Sequence, residues 1–484
     1  MLLDSEIGRI DKQAPFTIAL AYPSPYGAAM SSLGYQRIYR AVMEEPDVAC
    51  ERVMLDEEAE NNLALQTHPR SLESHKPMEE FPVVAFSVAY EIEIAGMLRM
   101  LDAARIPALR AERDDRHPFI LAGGPLTFSN PLPLAPFIDA MIVGEAEEIM
   151  CDVMRILSTT EGRDARISAL AKLPHVFVPD VHGSILPVVA KVADENIPAW
   201  GPIRSPHAVL RNMFLIETER GCSRTCTYCV MRRSTNGGMR MASMARILEL
   251  IPKDATKVGL VGAAVSDHPK IVDIVRTLTE RGCEVGLSSL RPDRLSDELV
   301  GALKAAGYKT LTTAMDGPSE RLRESLARRA RIKHLDKCAE MARKHGLERL
   351  KLYLMIGLPG ETDEDIDECI AFSRELSKII PISLGIAPFC AKRNTPLDGQ
   401  PFAGIKLVED RLDRLKRGLR GRVDVRSTSA KWAWVEYVLA QGGEAEGLAV
   451  LAAMRDGGTF AAYKRAFNAL PEKRERRSLA IANV

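Results

Sequence analysis

Short apolar runs, each stopped by a turn rich in glycine or proline and followed by residues at helical spacing, recur along the first third of the chain. Phe16-Thr17-Ile18-Ala19-Leu20-Ala21 stops at Tyr22-Pro23-Ser24-Pro25-Tyr26-Gly27, and a helical pattern begins near Ser32. Further runs at 83–88, 119–122 and 138–143 end at Ser87, at Gly123-Gly124-Pro125 and at Gly144-Glu145. Buried strands alternating with helices imply βαβ units on a parallel sheet, with ligands beyond the carboxyl ends of the strands. Residues 186–210 are weakly patterned and proline-rich, and read as a connector of short strands and turns. From 214 a second series begins, with strands expected at 214–218, 257–261, 284–287, 310–314, 349–355 and 382–387. Helical spacing fills 296–306, where Ser296 suits an N-cap, and 321–345. Six such strands fit an open (β/α)6 barrel better than a closed eight-fold one. Beyond about 402 the pattern is helical to the end. The expected architecture is α/β: a doubly wound Rossmann-like domain (1–185), the connector, a barrel (211–400) and a helical C-terminal region (401–484).

Composition narrows the function classes. The 484 residues exceed one ordinary core, and 46% hydrophobic with 27% charged residues is a globular mix. Lys+Arg and Asp+Glu balance at 65 each, which argues against the whole chain being an electrostatic nucleic-acid binder. The balance hides an asymmetry: residues 1–185 carry 28 acidic and 16 basic residues, whereas 401–484 carry 10 and 16. No apolar run approaches the ~18 residues that span a bilayer, and the first residues lack a basic start, so a cytoplasmic protein with no membrane partner is expected. Of nine cysteines, six are scattered and three are clustered, a pattern of reduced thiols plus a metal site.

The cluster is Cys222-Ser223-Arg224-Thr225-Cys226-Thr227-Tyr228-Cys229, spaced C-x3-C-x2-C. Three thiolates on one loop suit three corners of a cubane iron–sulfur cluster and leave one iron open. A zinc knuckle would want a fourth ligand nearby, and the next histidine is His268. This motif resembles that of the radical S-adenosylmethionine (SAM) superfamily. The resemblance implies a [4Fe-4S] cluster on Cys222, Cys226 and Cys229 whose open iron chelates SAM. One electron then cleaves SAM to methionine and a 5′-deoxyadenosyl radical. It also implies a reductant such as flavodoxin or ferredoxin.

Later segments follow the superfamily's order. Tyr228 stands where the family has an aromatic residue beside the adenine. Gly357 and Pro359, in Gly357-Leu358-Pro359-Gly360-Glu361, resemble the fifth-strand motif near the adenine, although the same residues make an ordinary turn. Ser289 and Arg291 sit where related enzymes place ribose and carboxylate contacts. The second-strand motif departs from the common Gly-Gly-Glu: carbonyls from Gly262, Ala263 and Ala264 remain to hold the SAM amino group, and Ser266 or Asp267 stands in for the acid, or else caps a helix. Asp316 occupies the acid position of a fourth-strand pattern found in cobalamin-linked and methylthiotransferase-like radical enzymes.

The front domain resembles the cobalamin (B12)-binding domain often fused ahead of such barrels, through Gly123, Gly124, Gly144 and Glu145. The cobalt-ligating Asp-x-His-x-x-Gly loop is missing after the first strand, so either cobalamin binds without a protein ligand to cobalt or the fold persists without it. The expectation is a radical SAM enzyme, a methyltransferase or another C–H functionalising enzyme with an unlabelled substrate. One alternative is methylthiotransfer to tRNA or a ribosomal protein, for which the front domain offers only Cys50 and Cys151. The other is a non-catalytic iron–sulfur sensor. Nucleic-acid contact by the basic run 473–477 is the minority reading.

Overall fold

The computed structural model describes residues 2–57, 67–231 and 238–471. The basic run 473–477 lies outside them. The chain forms two compact units: Met1–Phe214 together with Val438–Val484, and Leu215–Tyr437. Among the described residues no helix is long and apolar enough to cross a membrane.

The front unit is built on a six-stranded sheet. Its strands are β1 (Phe16–Tyr22), β2 (Val48–Met54), β3 (Val83–Ser87), β4 (Phe119–Gly123), β5 (Ala140–Ile142) and β6 (Val176–Phe177). Their order is β2-β1-β3-β4-β5-β6. All neighbouring pairs are parallel except β5–β6. The expected doubly wound sheet is present, with two strands the hydrophobic pattern missed. β2 was hidden because Glu51 and Arg52 interrupt its apolar run. Arg52 is nevertheless wholly buried, since its guanidinium meets Glu6 through two hydrogen bonds of 2.7 Å and Glu73 through one of 2.6 Å. A buried charge is tolerated only when paired in this way. β5 is shorter than its apolar run because Asp139 precedes it, accepting from the Ile120 N–H at 2.6 Å and pairing with Arg113 and Arg163.

The final helices also belong to the front unit. Helix Glu444–Arg455 packs on the turn Leu132–Phe137 and on helix Glu93–Ala103. Asn130 Nδ2 donates to the carbonyls of Leu439, Ala440 and Gly442, and a Cβ on Gly447 would overlap the Pro133 carbonyl. The boundaries drawn from the sequence at 185 and 401 therefore differ from those of the compact units. Helical spacing identifies a helix but not the partner its apolar face covers.

The second unit holds two sheets. One contains β7 (Met213–Glu217), β10 (Lys257–Val261) and β11 (Glu284–Leu287), in the order β11-β10-β7. The other contains β12 (Thr310–Asp316), β13 (Arg349–Ile356), β14 (Ile382–Pro388) and β15 (Val423–Ser427), all parallel. A small antiparallel pair, β8 (Glu219–Gly221) and β9 (Met239–Met241), leads into the cysteine loop. The six expected strands are all there, and β15 adds a seventh inside the region read as helical. Its Val-Asp-Val-Arg alternation is short and edge-like, too weak a period-two signal against flanking helices. Ser296 accepts from the Leu299 N–H and starts helix Asp297–Ala305, as its type predicts. The single helix expected over 321–345 is instead two, Glu320–Ser325 and Ile332–Lys344.

Candidate active site

The cysteine loop begins where β8 ends. Gly221 adopts φ +94°, a left-handed conformation open to glycine, and turns the chain into Cys222. Cys222, Cys226 and Cys229 line one cavity of about 240 Å³. Burial pushes the thiols of Cys226 and Cys229 up. No group of three His, Cys, Asp or Glu among the described residues converges on a single ion. Three thiolates around one cavity, each free to meet a separate iron, fit a cubane cluster in donor type and number.

The part of the cavity lined by Ala263, Ser288 and Ser289 is held by a network anchored on Glu219. Its carboxylate is buried beneath Gly262, where a Cβ would overlap it. Its Oε1 accepts from the Ala264 N–H at 2.8 Å, and Thr218 Oγ1 donates to Oε2. Burial pushes this carboxyl up to about 7. The sequence reading missed Glu219; the only signal was an acid ahead of the cysteines coupled to a glycine that excludes a side chain. Ser288 and Ser289 hydroxyls both donate to the Gly262 carbonyl at 2.9 Å, and Ser289 Oγ accepts from the Val265 N–H. Gly262, Ala263 and Ala264 thus form one braced turn, of which Ala263 faces the cavity.

Ser266 and Asp267 brace a neighbouring turn instead of capping a helix. Ser266 Oγ accepts from the Arg291 N–H at 3.0 Å. Asp267 pairs with Arg291 and accepts from Ser223 Oγ at 3.1 Å, which ties the cysteine loop to the loop after β11. Arg291 also pairs with Asp293 at 2.7 Å and is 3% exposed. It lines the cavity with its charge already met by two carboxylates.

Asp316 carries a second pairing. It sits at φ +65°, costly for a residue with a Cβ, and forms an ion pair with Arg328. The Tyr228 hydroxyl donates to its carboxylate. Burial pushes the Tyr228 phenol far up. Tyr228, Arg328 and Tyr353 all line the cysteine cavity, the last two unmarked by the sequence reading. Gly357 and Pro359 are not among its lining residues. Gly357, at φ +76°, donates its N–H to Glu361 at 2.9 Å, and Glu361 pairs with Arg411 at 2.9 Å, so this turn is fixed from behind.

The front-unit candidates gather at the carboxyl ends of β4 and β5. A Cβ on Gly124 (φ +104°) would stand 2.6 Å from the Val88 carbonyl, and one on Gly144 (φ +105°) 2.5 Å from the Ala190 N–H. Glu145 accepts from the Val192 N–H at 2.8 Å. Gly123 alone meets little, its nearest neighbour being the Ile142 carbonyl at 3.9 Å. After β1 the chain makes a helical turn, Tyr26–Ala29, without a histidine. Glycine here first serves the packing of neighbouring turns. A separate front-unit cavity of about 490 Å³ lies beside Met54, Leu98 and Met454.

Two family profiles match the chain: "Radical SAM proteins, N-terminal" over residues 34–179 and "Radical SAM superfamily" over 216–373. An uncharacterized protein of Methanocaldococcus jannaschii is 28% identical over 362 residues, covering 72% of this chain and 76% of that one. An uncharacterized methyltransferase of Pyrococcus horikoshii is 24% identical over 290 residues, covering 57% and 62%. Among solved structures, a radical S-adenosylmethionine methyltransferase, TsrM, from Kitasatospora setae, with cobalamin and a [4Fe-4S] cluster bound, aligns over 81% of this chain and 75% of its own. The TM-score is 0.55 and the identity 14%. At that identity the likeness is one of fold.

Proposed function

The chain belongs to the radical SAM superfamily, and from that premise we propose that it is a methyltransferase-type radical enzyme acting on a substrate bound at the barrel mouth. The observation that carries the reading is the convergence of Cys222, Cys226 and Cys229 on one cavity, also lined by Ala263 of a turn that Glu219, Ser288 and Ser289 brace. When bound there, a [4Fe-4S] cluster supplies the electron that cleaves SAM to methionine and a 5′-deoxyadenosyl radical. The chain's own residues bind, orient and exclude water. The three cysteines hold three irons. Glu219, Ser288 and Ser289 fix the turn Gly262–Ala264; the Gly262 carbonyl already accepts from both serines and the Ala264 carbonyl from the Asp267 N–H, which leaves the Ala263 carbonyl as the candidate for the SAM amino group. Tyr228 offers an aromatic wall, its hydroxyl tied to Asp316. Arg328 pairs with one carboxylate, Asp316, where Arg291 pairs with two, and so suits the SAM carboxylate better than Arg291 does.

Anaerobically reconstituted protein should show an iron–sulfur band near ~400 nm and release 5′-deoxyadenosine under reduction. The Cys222→Ala, Cys226→Ala, Cys229→Ala triple variant should do neither; 5′-deoxyadenosine from it sinks the proposal. Methyl transfer is supported by the resemblance of the Pyrococcus relative and by the fold shared with TsrM. Cobalamin as the methyl carrier is supported by the largely parallel front sheet and by the fold shared with the cobalamin-bound TsrM structure. Its test is retention of cobalamin through gel filtration, with a spectrum lacking histidine ligation. Methylthiotransfer would demand a second cluster, yet Cys50 is fully buried and Cys151 lies on the helix Ile149–Thr159. About four irons per chain support the first reading, and about eight the second.

A further inference from the structure

Four cations, Arg294, Arg329, Arg331 and Lys333, line one open cleft beside the cysteine loop. All four are exposed, and among the described residues Arg329, Arg331 and Lys333 form no ion pair. Some exposed cations elsewhere on this unit are matched, Lys344 with Asp297 and Arg414 with Asp363 and Asp367. The cleft contains two acids, Asp293 and Glu324, and Asp293 is already shared between Arg224 and Arg291. The surplus of positive charge is therefore local, in a chain whose formal net charge is zero.

The backbone that presents these cations is itself unusual. Helical spacing runs unbroken through 321–345, yet the helix stops at Ser325 and restarts at Ile332. In the gap Ala327 and Arg329 adopt φ +53° and +60°, left-handed conformations that cost of order 1–3 kcal/mol for residues with a Cβ. Between them Arg328 turns inward to Asp316 and the cysteine cavity, while Arg329 and Arg331 face solvent. The same loop is stitched to the cysteine loop, the Thr227 N–H donating to the Leu326 carbonyl at 3.1 Å, and Arg224, between Cys222 and Cys226, lines the cleft and pairs with Asp293 of the loop after β11. One strained segment thus joins an unpaired cationic surface to the residues that hold the cluster.

We propose that this cleft is the docking surface for an acidic one-electron carrier protein of the flavodoxin or ferredoxin type. The inference rests on the radical SAM reading above. In the step it serves, the carrier is oxidised by one electron, the cluster is reduced by one, and no covalent bond forms or breaks. Electrostatic steering brings an acidic partner to a basic patch and fixes its register, and this patch lies one loop from the cysteines.

The test uses the full chain with its cluster assembled anaerobically, and flavodoxin as the probe. The variant is Arg329→Glu, Arg331→Glu, Lys333→Glu; the corresponding Gln variant serves where charge reversal impairs folding. Two quantities are read: the Kd for flavodoxin at low and high salt, and the rate of 5′-deoxyadenosine release driven by reduced flavodoxin or by dithionite. Wild-type binding should weaken as salt rises. The variant should lose about tenfold or more in flavodoxin binding and flavodoxin-driven rate, while its dithionite-driven rate stays within about twofold. Unchanged flavodoxin binding overturns the proposal, as does an equal loss in both rate arms, which would mark the loop as part of the cluster's support. Loss of transfer-RNA binding with flavodoxin binding intact overturns it in favour of a nucleic-acid surface. No release from wild type with dithionite defeats the radical reading instead, and the binding arm still reports on docking.

Discussion

The two units use the same device to opposite ends. Each is a set of parallel strands whose loops collect beyond the carboxyl ends, the place where such sheets hold ligands. In the barrel, the strand ends and their loops leave a cavity and line it with three thiols, two tyrosines and three arginines. In the front unit, the matching turns spend their glycines on one another: Gly124 against Val88, Gly144 against Ala190. A glycine at a strand end is therefore ambiguous until its neighbours are known. In the barrel, Gly262 lacks a side chain because Glu219 fills the space, and Glu219 in turn shapes a wall of the site.

The contrast can be broken most decisively at the cysteines. Replacing all three by alanine should remove the cluster's iron and abolish SAM cleavage, read by iron assay and product release, with the front unit's fold intact by limited proteolysis. Next in size is Arg291→Met, which takes from the Asp267 carboxylate its closest cation and leaves it Arg294 at 3.9 Å and the Ser223 hydroxyl. Breaking a buried pair costs about 3–5 kcal/mol, so the urea midpoint should fall sharply; a midpoint within error of wild type would make the Asp267–Arg291 tie dispensable. Gly124→Ala should cost about 1–3 kcal/mol through its left-handed φ and the Val88 carbonyl, while iron content stays at wild type. Iron loss in that variant would mean that the two units' strand ends are not independent.

The smallest effect concerns Glu219 and sharpens the comparison from the barrel side. Its folded value of about 7 lies above the usual 4.5, so the folded chain holds a proton that the unfolded chain releases. That contribution to stability is fully present below about pH 4.5 and is lost as pH rises toward 7. Glu219→Gln should remove this slope, by on the order of 1–2 kcal/mol between about pH 5 and pH 8 in urea titrations. An unchanged slope would assign the pH dependence to another group.

The strand–helix alternation and the grouping of three cysteines on one loop were legible because each depends on local spacing. β2 and Glu219 were not, because each depends on a partner far along the chain. Arg52 reads as a surface residue until Glu6 and Glu73 enclose it, and Glu219 reads as one more charge until Gly262 makes room for it. Arg291 lines the cavity, but its two carboxylate partners were invisible to spacing. Arg328 was hidden inside a seemingly regular helix, where only the left-handed flanking residues betray it.

The helices Glu444–Arg455 and Phe460–Asn468 close the front unit after the barrel has been threaded through the chain. The barrel is therefore a guest, inserted between two pieces of one host. On the ribosome, the host sheet emerges first and waits for the whole guest before its last cover arrives. Truncation after Tyr437 would strip the host of Asn130's three carbonyl partners and bare the Leu132–Phe137 turn, while sparing every strand of the guest. A lesion at the end of the sequence thus has its first effect near its beginning.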